Sequence, residues 1–83
     1  MAKDIIHYVH AGHTVCVRRY WNRTELLFDD RAVDVKKGVL ETSYALQGNL
    51  GEDYIAADVR MKTVGALVRL IINGTVVEQA WKA

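Results

Sequence analysis

The stretch Ile71-Ile72-Asn73-Gly74-Thr75-Val76-Val77 places an Asn-Gly pair between two runs rich in β-branched residues. Asn and Gly tolerate the positive φ angles of a tight type I′ turn, so Asn-Gly is the strongest short sequence signal for a β-hairpin. The stretch therefore predicts two antiparallel strands that meet at residues 73 and 74, and it favours an all-β fold.

The segments before this hairpin alternate apolar and polar residues, which is the pattern of a strand with one buried face and one exposed face. In residues 54–62, YIAADVRMK, the apolar side chains of Ile55, Ala57 and Val59 fall on one face. Helical periodicity is hard to find in the chain. Further strands are expected in residues 4–10, 13–21 and 39–47, and another runs from Thr24 into a turn at Asp29-Asp30.

Turns are expected where these strands reverse. The chain contains no proline, so its turns rest on Gly, Asn and Asp. The pair Asp29-Asp30 resembles Asn73-Gly74 without the glycine, and Ala11-Gly12 is a further turn. Residues 48–53, GNLGED, are predicted to form a longer polar loop near the middle of the chain.

An internal repeat relates residues 13–34 to residues 57–78 at an offset of 44, without a gap. Three of the 22 aligned pairs are identical, and the two turns fall on one another. The alignment indicates two similar three-stranded units. These units contribute six strands, and the strands at 39–47 and 4–10 bring the predicted number of strands to seven or eight. We therefore predict one all-β domain over residues 1–83, an antiparallel β-sandwich, with a partly open β-barrel as the alternative.

Composition restricts the class of protein more than its activity. Eleven Lys and Arg against ten Asp and Glu leave a formal net charge of +1, unlike the strongly basic balance of a typical nucleic-acid-binding domain. A single cysteine excludes an internal disulfide. The N-terminal residues lack the apolar core of a signal peptide, and no run is long enough to span a bilayer. The chain is expected to be cytoplasmic, without a membrane partner.

All three histidines and the cysteine lie in residues 7–16, HYVHAGHTVC. Zinc prefers imidazole and thiolate ligands, so a metal or small-ligand site of His7, His10, His13 and Cys16 is one candidate. On a strand, however, His7 and His10 point to opposite faces, and so do His13 and Cys16. A hairpin through the Ala-Gly pair would bring only His10 and His13 together. We expect a polar strand with a buried Cys16, and no cofactor.

The segment RRYWNR, residues 18–23, is the most basic and aromatic part of the chain. Arg18, Arg19 and Trp21 could bind single-stranded nucleic acid, because arginine clamps phosphates and aromatic rings stack on unpaired bases. On a strand, Arg18 faces away from Arg19, and aspartates follow soon after, so nucleic acid is the less favoured partner. Alternatively, Trp21 caps the core.

Two acidic pairs, Asp29-Asp30 and Glu52-Asp53, could in principle serve hydrolysis or bind a cation. Both fall in predicted turns, where Asp is favoured for backbone reasons. Cys16, flanked by Val15 and Val17 in a strand, lacks the exposed turn or helix N-terminus that usually lowers the pKa of a nucleophilic thiol. We therefore predict that the chain is not an enzyme.

Four segments carry a resemblance to a known family. They are an alternating strand HTVCV (13–17), an apolar strand entering a turn at LFDD (27–30), a second alternating strand IAADV (55–59) and the closing hairpin LIING (70–74). This order of elements resembles the β-sandwich domain of the Fas apoptotic inhibitory molecule family. Both hairpins of that family carry Asp-Gly or Asn-Gly turns, whereas only the second keeps its glycine here. The resemblance implies a β-sandwich and a non-enzymatic adaptor.

The C-terminal strand ends near Trp81, which either folds back on the core or marks an edge that pairs with a partner. We predict a non-enzymatic protein-interaction or assembly module, whose partner is another protein or a second copy of the chain. The expected contact residues are Arg19, Tyr20, Trp21 and Trp81.

Overall fold

The chain folds into two antiparallel sheets of four strands in a computed structural model, which describes residues 3–37 and 42–82. Each sheet is a meander, in which strands adjacent in sequence are hydrogen-bonded neighbours. The described ranges contain no helix. The first sheet comprises β1 (Lys3–His10), β2 (His13–Arg19), β3 (Arg23–Phe28) and β4 (Arg31–Lys37), and the second comprises β5 (Ser43–Leu50), β6 (Asp53–Met61), β7 (Ala66–Ile72) and β8 (Thr75–Lys82).

This architecture confirms the predicted all-β fold and is that of a sandwich, in which two sheets share one core. The predicted strand at 4–10 is β1, which adds a fourth strand to the first predicted unit. The strand predicted at 39–47 corresponds to β5, which begins at Ser43. Residues 38–41 lie outside the described part of the chain.

The prediction of a longer polar loop at residues 48–53 is wrong. Strand β5 continues to Leu50, and only Gly51 and Glu52 separate it from β6. Gly51 has a φ of +64°, and this left-handed conformation allows the chain to reverse in two residues. The polar residues of the segment reflect an edge strand with an exposed face.

The core lies between the sheets and is built from alternate residues of each strand. In β6, Ile55, Ala57 and Val59 are buried as the alternation predicts, and β7 buries every second residue from Ala66 to Ile72. Burying a Val, Leu or Ile side chain is worth about 1.5–3 kcal/mol, so this shared core is the main source of stability. The first sheet contributes Ile6, Val15, Val17, Leu26 and Phe28, and the second contributes Leu46, Ile55, Ala57, Val59, Ala66, Val68, Leu70 and Ile72.

The two sheets have the same strand order, and the hydrogen-bonded pairs next to their turns show which strand of one sheet is equivalent to which strand of the other. Val15 pairs with Phe28 in the first sheet, and Ile55 pairs with Ile72 in the second. Strand β3 thus corresponds to β7 at the offset of 44, whereas β2 corresponds to β6 at an offset of 40. The β6–β7 hairpin is longer by that difference of four residues.

The strand connections divide the sandwich into two ends. One end, called the turn end, carries the two-residue turns Ala11-Gly12, Asp29-Asp30, Gly51-Glu52 and Asn73-Gly74. The other end, called the Trp21 end, carries the connections at residues 20–22 and 62–65, together with the last residues of β4 and β8.

The sheets meet along two seams, where β1 lies against β8 and β4 lies against β5. Asp34 bridges the second seam, because its Oδ2 accepts a hydrogen bond from the backbone N–H of Gln47 at 2.8 Å. Edge strands with unpaired backbone groups invite association with other chains, so a side chain that caps one of these groups shields the edge. Bulges at the equivalent positions Val33 in β4 and Val77 in β8 also interrupt the two edges.

Candidate functional site

The predicted histidine and cysteine set is divided between two places. His7 and Cys16 are neighbours across β1 and β2, on the outer face of the first sheet. His10 and His13 pair across the Ala11-Gly12 turn, as predicted. Within the described residues, no group of three or more His, Cys, Asp or Glu side chains is arranged to hold a metal ion.

Each histidine at the turn end binds a carboxylate. His10 Nε2 donates to Asp53 Oδ2 at 2.7 Å and so joins the first sheet to the second. His13 Nδ1 donates to Asp29 Oδ2, also at 2.7 Å, within the first sheet. The hydrogen bond from His10, followed by one from Asn73, lowers the pKa of Asp53 below its usual value. The first contact joins the ends of β1 and β6, and the second joins the start of β2 to the Asp29-Asp30 turn.

Cys16 is only 2% exposed and carries no disulfide. Its burial, together with the negative charge of Asp4, raises the pKa of the thiol above its ordinary value, although Arg18 acts in the opposite direction. A thiol with a raised pKa stays protonated near neutral pH and is a poor nucleophile or metal ligand. Cys16 thus serves as a small apolar residue, as expected from its position in the strand.

Asp29, Asp30 and Glu52 lie in turns, as predicted, whereas Asp53 is the first residue of β6. Asp29 and Asp30 both have positive φ angles, and Glu52 follows the left-handed Gly51. Asp29 Oδ1 accepts the backbone N–H of Thr14 at 3.0 Å, and this bond is the largest cause of the lowered pKa of Asp29. Asp29 therefore has a structural role at the turn end.

The basic segment at residues 18–23 is split between two faces. Arg18 lies on the outer face, where its Nε donates to Asp4 Oδ1 at 2.6 Å. This bond, with a second involving Tyr20, raises the pKa of Arg18 above its ordinary value. Arg19 has the opposite orientation and reaches Met61 of the second sheet, with 3.7 Å between its Nη1 and the Met61 sulfur. The two arginines therefore do not form one nucleic-acid surface.

The aromatic residues of the segment form the tip of the Trp21 end. Trp21 is 84% exposed, so it does not cap the core. Beside it, the guanidinium carbon of Arg23 lies 3.7 Å from the centre of the Tyr20 ring, within the range of a cation–π contact. Glu25 accepts a hydrogen bond from Arg23 Nε at 2.9 Å and fixes the arginine over the ring.

Trp81 is 54% exposed and pairs with Leu67 on the outer face of the second sheet. It does not fold back on the core. It also lies on a different face from Arg19, which points between the sheets. The predicted contact residues therefore do not form one surface. Tyr20 and Trp21 lie at the tip of the Trp21 end, whereas Arg19 points between the sheets and Trp81 lies on the outer face of the second sheet.

A cleft opens between the sheets at the Trp21 end. Its volume is about 390 Å³. Arg19 is far in sequence from the other lining residues, and the packing of the two sheets brings them together. A cluster of cations at corresponding strand ends is the sequence signal that points to it. The lining residues are Arg19, Met61, Lys62, Thr63, Gly65 and Lys82, none of which is acidic.

No helix in the described residues is long and apolar enough to cross a membrane. Comparisons with family models, curated proteins and solved structures find no significant match. The resemblance to the Fas apoptotic inhibitory molecule family stays a prediction.

Proposed function

We propose that this chain is a non-enzymatic protein-binding module that contacts its partner through the Trp21 end. The observation that carries the proposal is the exposure of Trp21, which is 84% accessible in the connection between β2 and β3. Tryptophan has a large apolar surface and is enriched among the residues that dominate binding energy at protein interfaces. Its exposure supports a role in binding.

The neighbours of Trp21 support the same role. Arg23 stacks on Tyr20 and is held by Glu25, so two more interface-prone side chains are fixed in place before a partner arrives. Tyr20 N donates to the Arg23 carbonyl at 2.8 Å and closes the connection into a tight turn. A preorganised contact surface loses less conformational entropy on binding.

Charge favours an acidic partner surface. The cations nearest the Trp21 end are Arg19, Arg23, Lys36, Lys37, Arg60, Lys62 and Lys82. The turn end carries Asp29, Asp30, Glu52 and Asp53 together with Arg31, so acidic residues predominate there. Complementary potentials steer association and select the partner. A second copy offers such an acidic surface at its own turn end, so head-to-tail self-association is the first case to test.

Native mass spectrometry of the untagged protein over a range of concentrations tests self-association and bound metal together. The expected result is a metal-free oligomer that is lost in Trp21→Ser and kept in Val64→Ser, a matched change of an exposed apolar residue at the same end. An oligomer that survives Trp21→Ser would contradict the proposed surface. A zinc increment would instead favour the histidine alternative.

A monomer at all concentrations would exclude a second copy as the partner. A photo-crosslinking residue in place of Trp21 then tests for a different protein, with the same residue in place of Glu52 as the control. A crosslinked protein that forms only from position 21 supports the proposed binding through the Trp21 end. Equal products at both positions, or salt-sensitive binding of short single-stranded oligonucleotides with no protein product, would overturn it.

A further inference from the structure

We infer that the cleft at the Trp21 end is a binding site for a small organic phosphate. The site goes beyond protein binding through Trp21, because it lies between the sheets and takes a different class of ligand. Its lining combines the guanidinium of Arg19, the ammonium of Lys62 and the hydroxyl of Thr63 with the thioether of Met61. Such a combination offers donors to an anion and one apolar wall to an organic group.

Arg19 is the central residue of the site. Its Nη1 donates to the Met61 sulfur, and a thioether is a weak acceptor. The other arginines near this end bind carboxylates, as Arg23 binds Glu25 and Arg60 binds Asp58. A guanidinium presents a planar fork of donors that matches two oxygens of a phosphate. Arg19 is therefore the arginine at this end best placed to bind an external anion.

The second sheet supplies the other donors. Lys62 and Thr63 follow β6, and the connection is closed by a bond of 2.9 Å from Lys62 N to the Gly65 carbonyl. Gly65 has a φ of +86°, which lets the chain turn sharply beside the cleft. The connection therefore holds an ammonium and a hydroxyl at the mouth, opposite Arg19 of the first sheet.

The size of the cleft selects the ligand class. A volume of about 390 Å³ falls at the lower end of small-molecule sites, which span roughly 300–1,000 Å³. The cleft is therefore larger than a bare phosphate needs, and the Met61 side gives an organic group an apolar contact. A phosphate monoester of a small organic molecule fits both the charge and the volume.

The test is an NMR titration of the ¹⁵N-labelled full chain with inorganic phosphate, adenosine monophosphate and adenosine. The expected result is saturable shifts of the amides at residues 61–65 and of the Arg19 side chain, with tighter binding of the monophosphate than of phosphate alone. Adenosine should produce no such shifts. Equal affinity for phosphate and the monophosphate, binding of adenosine, or shifts spread over all basic residues would overturn the inference.

Variants decide whether the cleft itself is responsible. Arg19→Gln and Lys62→Gln should each weaken binding of the monophosphate by about tenfold, the effect of losing a hydrogen bond to a charged group. Arg60→Gln is the matched control, because Arg60 lies near the same end and outside the cleft. Equal weakening in all three would indicate nonspecific attraction and contradict the site. Lys62 lies in an exposed connection, so its variant remains informative if Arg19→Gln does not fold.

Discussion

Asp29 and Asn73 occupy equivalent positions in the two sheets and make the same contacts. Each is the first residue of a two-residue turn, with a φ of +50°. The side-chain oxygen of Asp29 accepts the backbone N–H of Thr14, and that of Asn73 accepts the backbone N–H of Tyr54. The backbone N–H groups of Asp29 and Asn73 donate in return to the carbonyls of Thr14 and Tyr54. The two sheets therefore use the same turn conformation with the same pair of hydrogen bonds.

The turns differ at their second residue, and this difference leads to the first prediction. Asp30 has a φ of +65°, and left-handed backbone costs a residue with a side chain roughly 1 kcal/mol more than glycine. Asp30→Gly should therefore raise the free energy of unfolding by up to about 1 kcal/mol. The substitution also removes the ion pair between Arg18 and Asp30, but its N–O distance of 3.9 Å and its highly exposed carboxylate make that pair a weak one.

Urea denaturation measures this change, and Gly74→Asp in the second hairpin is the mirror control. Gly74 has a φ of +85°, so the control should destabilise the protein by a similar amount. A lower stability of Asp30→Gly would show that the Asp30 side chain contributes more than its conformation costs.

A second prediction concerns acid. Hydrogen bonds lower the pKa of Asp29 and Asp53 in the folded state, so each group contributes stability that is fully present above its unfolded pKa of about 3.9. That contribution is lost as the pH falls through the lower, folded pKa. Melting temperatures measured from pH 7 downward should therefore fall below about pH 4.

Asp53→Asn separates this effect from general charge repulsion. The variant lacks the titrating group, so its melting temperature should be lower at pH 7 and should decline less steeply in acid. Glu52→Gln, a change at the exposed neighbour in the same turn, is the control. If Asp53→Asn and the parent decline equally, the contact between His10 and Asp53 does not couple to acid stability.

A third prediction tests a hydrogen bond between the sheets. Thr24 is only 3% exposed, and its hydroxyl lies 2.7 Å from that of Tyr44 in the second sheet. Tyr44→Phe leaves the buried Thr24 hydroxyl without this partner and should cost about 1–3 kcal/mol. The double variant Thr24→Val/Tyr44→Phe should cost less than the sum of the single changes, as chemical denaturation can measure. Additive costs would mean that the two hydroxyls do not interact in solution.

A fourth prediction concerns the seam between β4 and β5. A Cβ atom on Gly48 would lie 3.0 Å from Val33 Cγ2 and 3.2 Å from the Phe28 ring. Gly48→Ala should therefore destabilise the fold by about 1 kcal/mol, and Gly48→Leu by about 1–3 kcal/mol, because both overpack the seam. Urea denaturation measures both costs. Val33→Ala in the Gly48→Ala background should recover part of the lost stability, because it removes one of the two clashing groups. If no stability is recovered, the destabilising clash involves only the Phe28 ring.

The fifth prediction concerns the thiol. Burial and a raised pKa should protect Cys16, so a thiol reagent at about pH 7–8 should label the native chain far more slowly than the urea-unfolded chain. Labelling rates followed by mass spectrometry measure the difference. Equal rates in the two states would mean that β2 opens readily or that the thiol is accessible.

The sequence was informative where a local pattern has a local cause. The Asn73-Gly74 turn and the buried face of Ile55, Ala57 and Val59 follow from backbone preference and alternation, and the structure confirms both. The loop predicted at 48–53 failed because a polar edge strand and a loop have similar compositions. Gly48 lies in β5 and leaves space for a neighbouring side chain, which composition does not reveal.

The sequence by itself determined the all-β character of the chain, most of its turns and the buried face of β6, because these depend on neighbours within a few residues. Only the tertiary structure decided what lies between and beyond the sheets. It separated Arg18 from Arg19, exposed Trp21, divided the histidines between different contacts, and assembled the cleft from β2, β8 and the β6–β7 connection. Such contacts join residues far apart in the chain, and the packing of two sheets sets their distances.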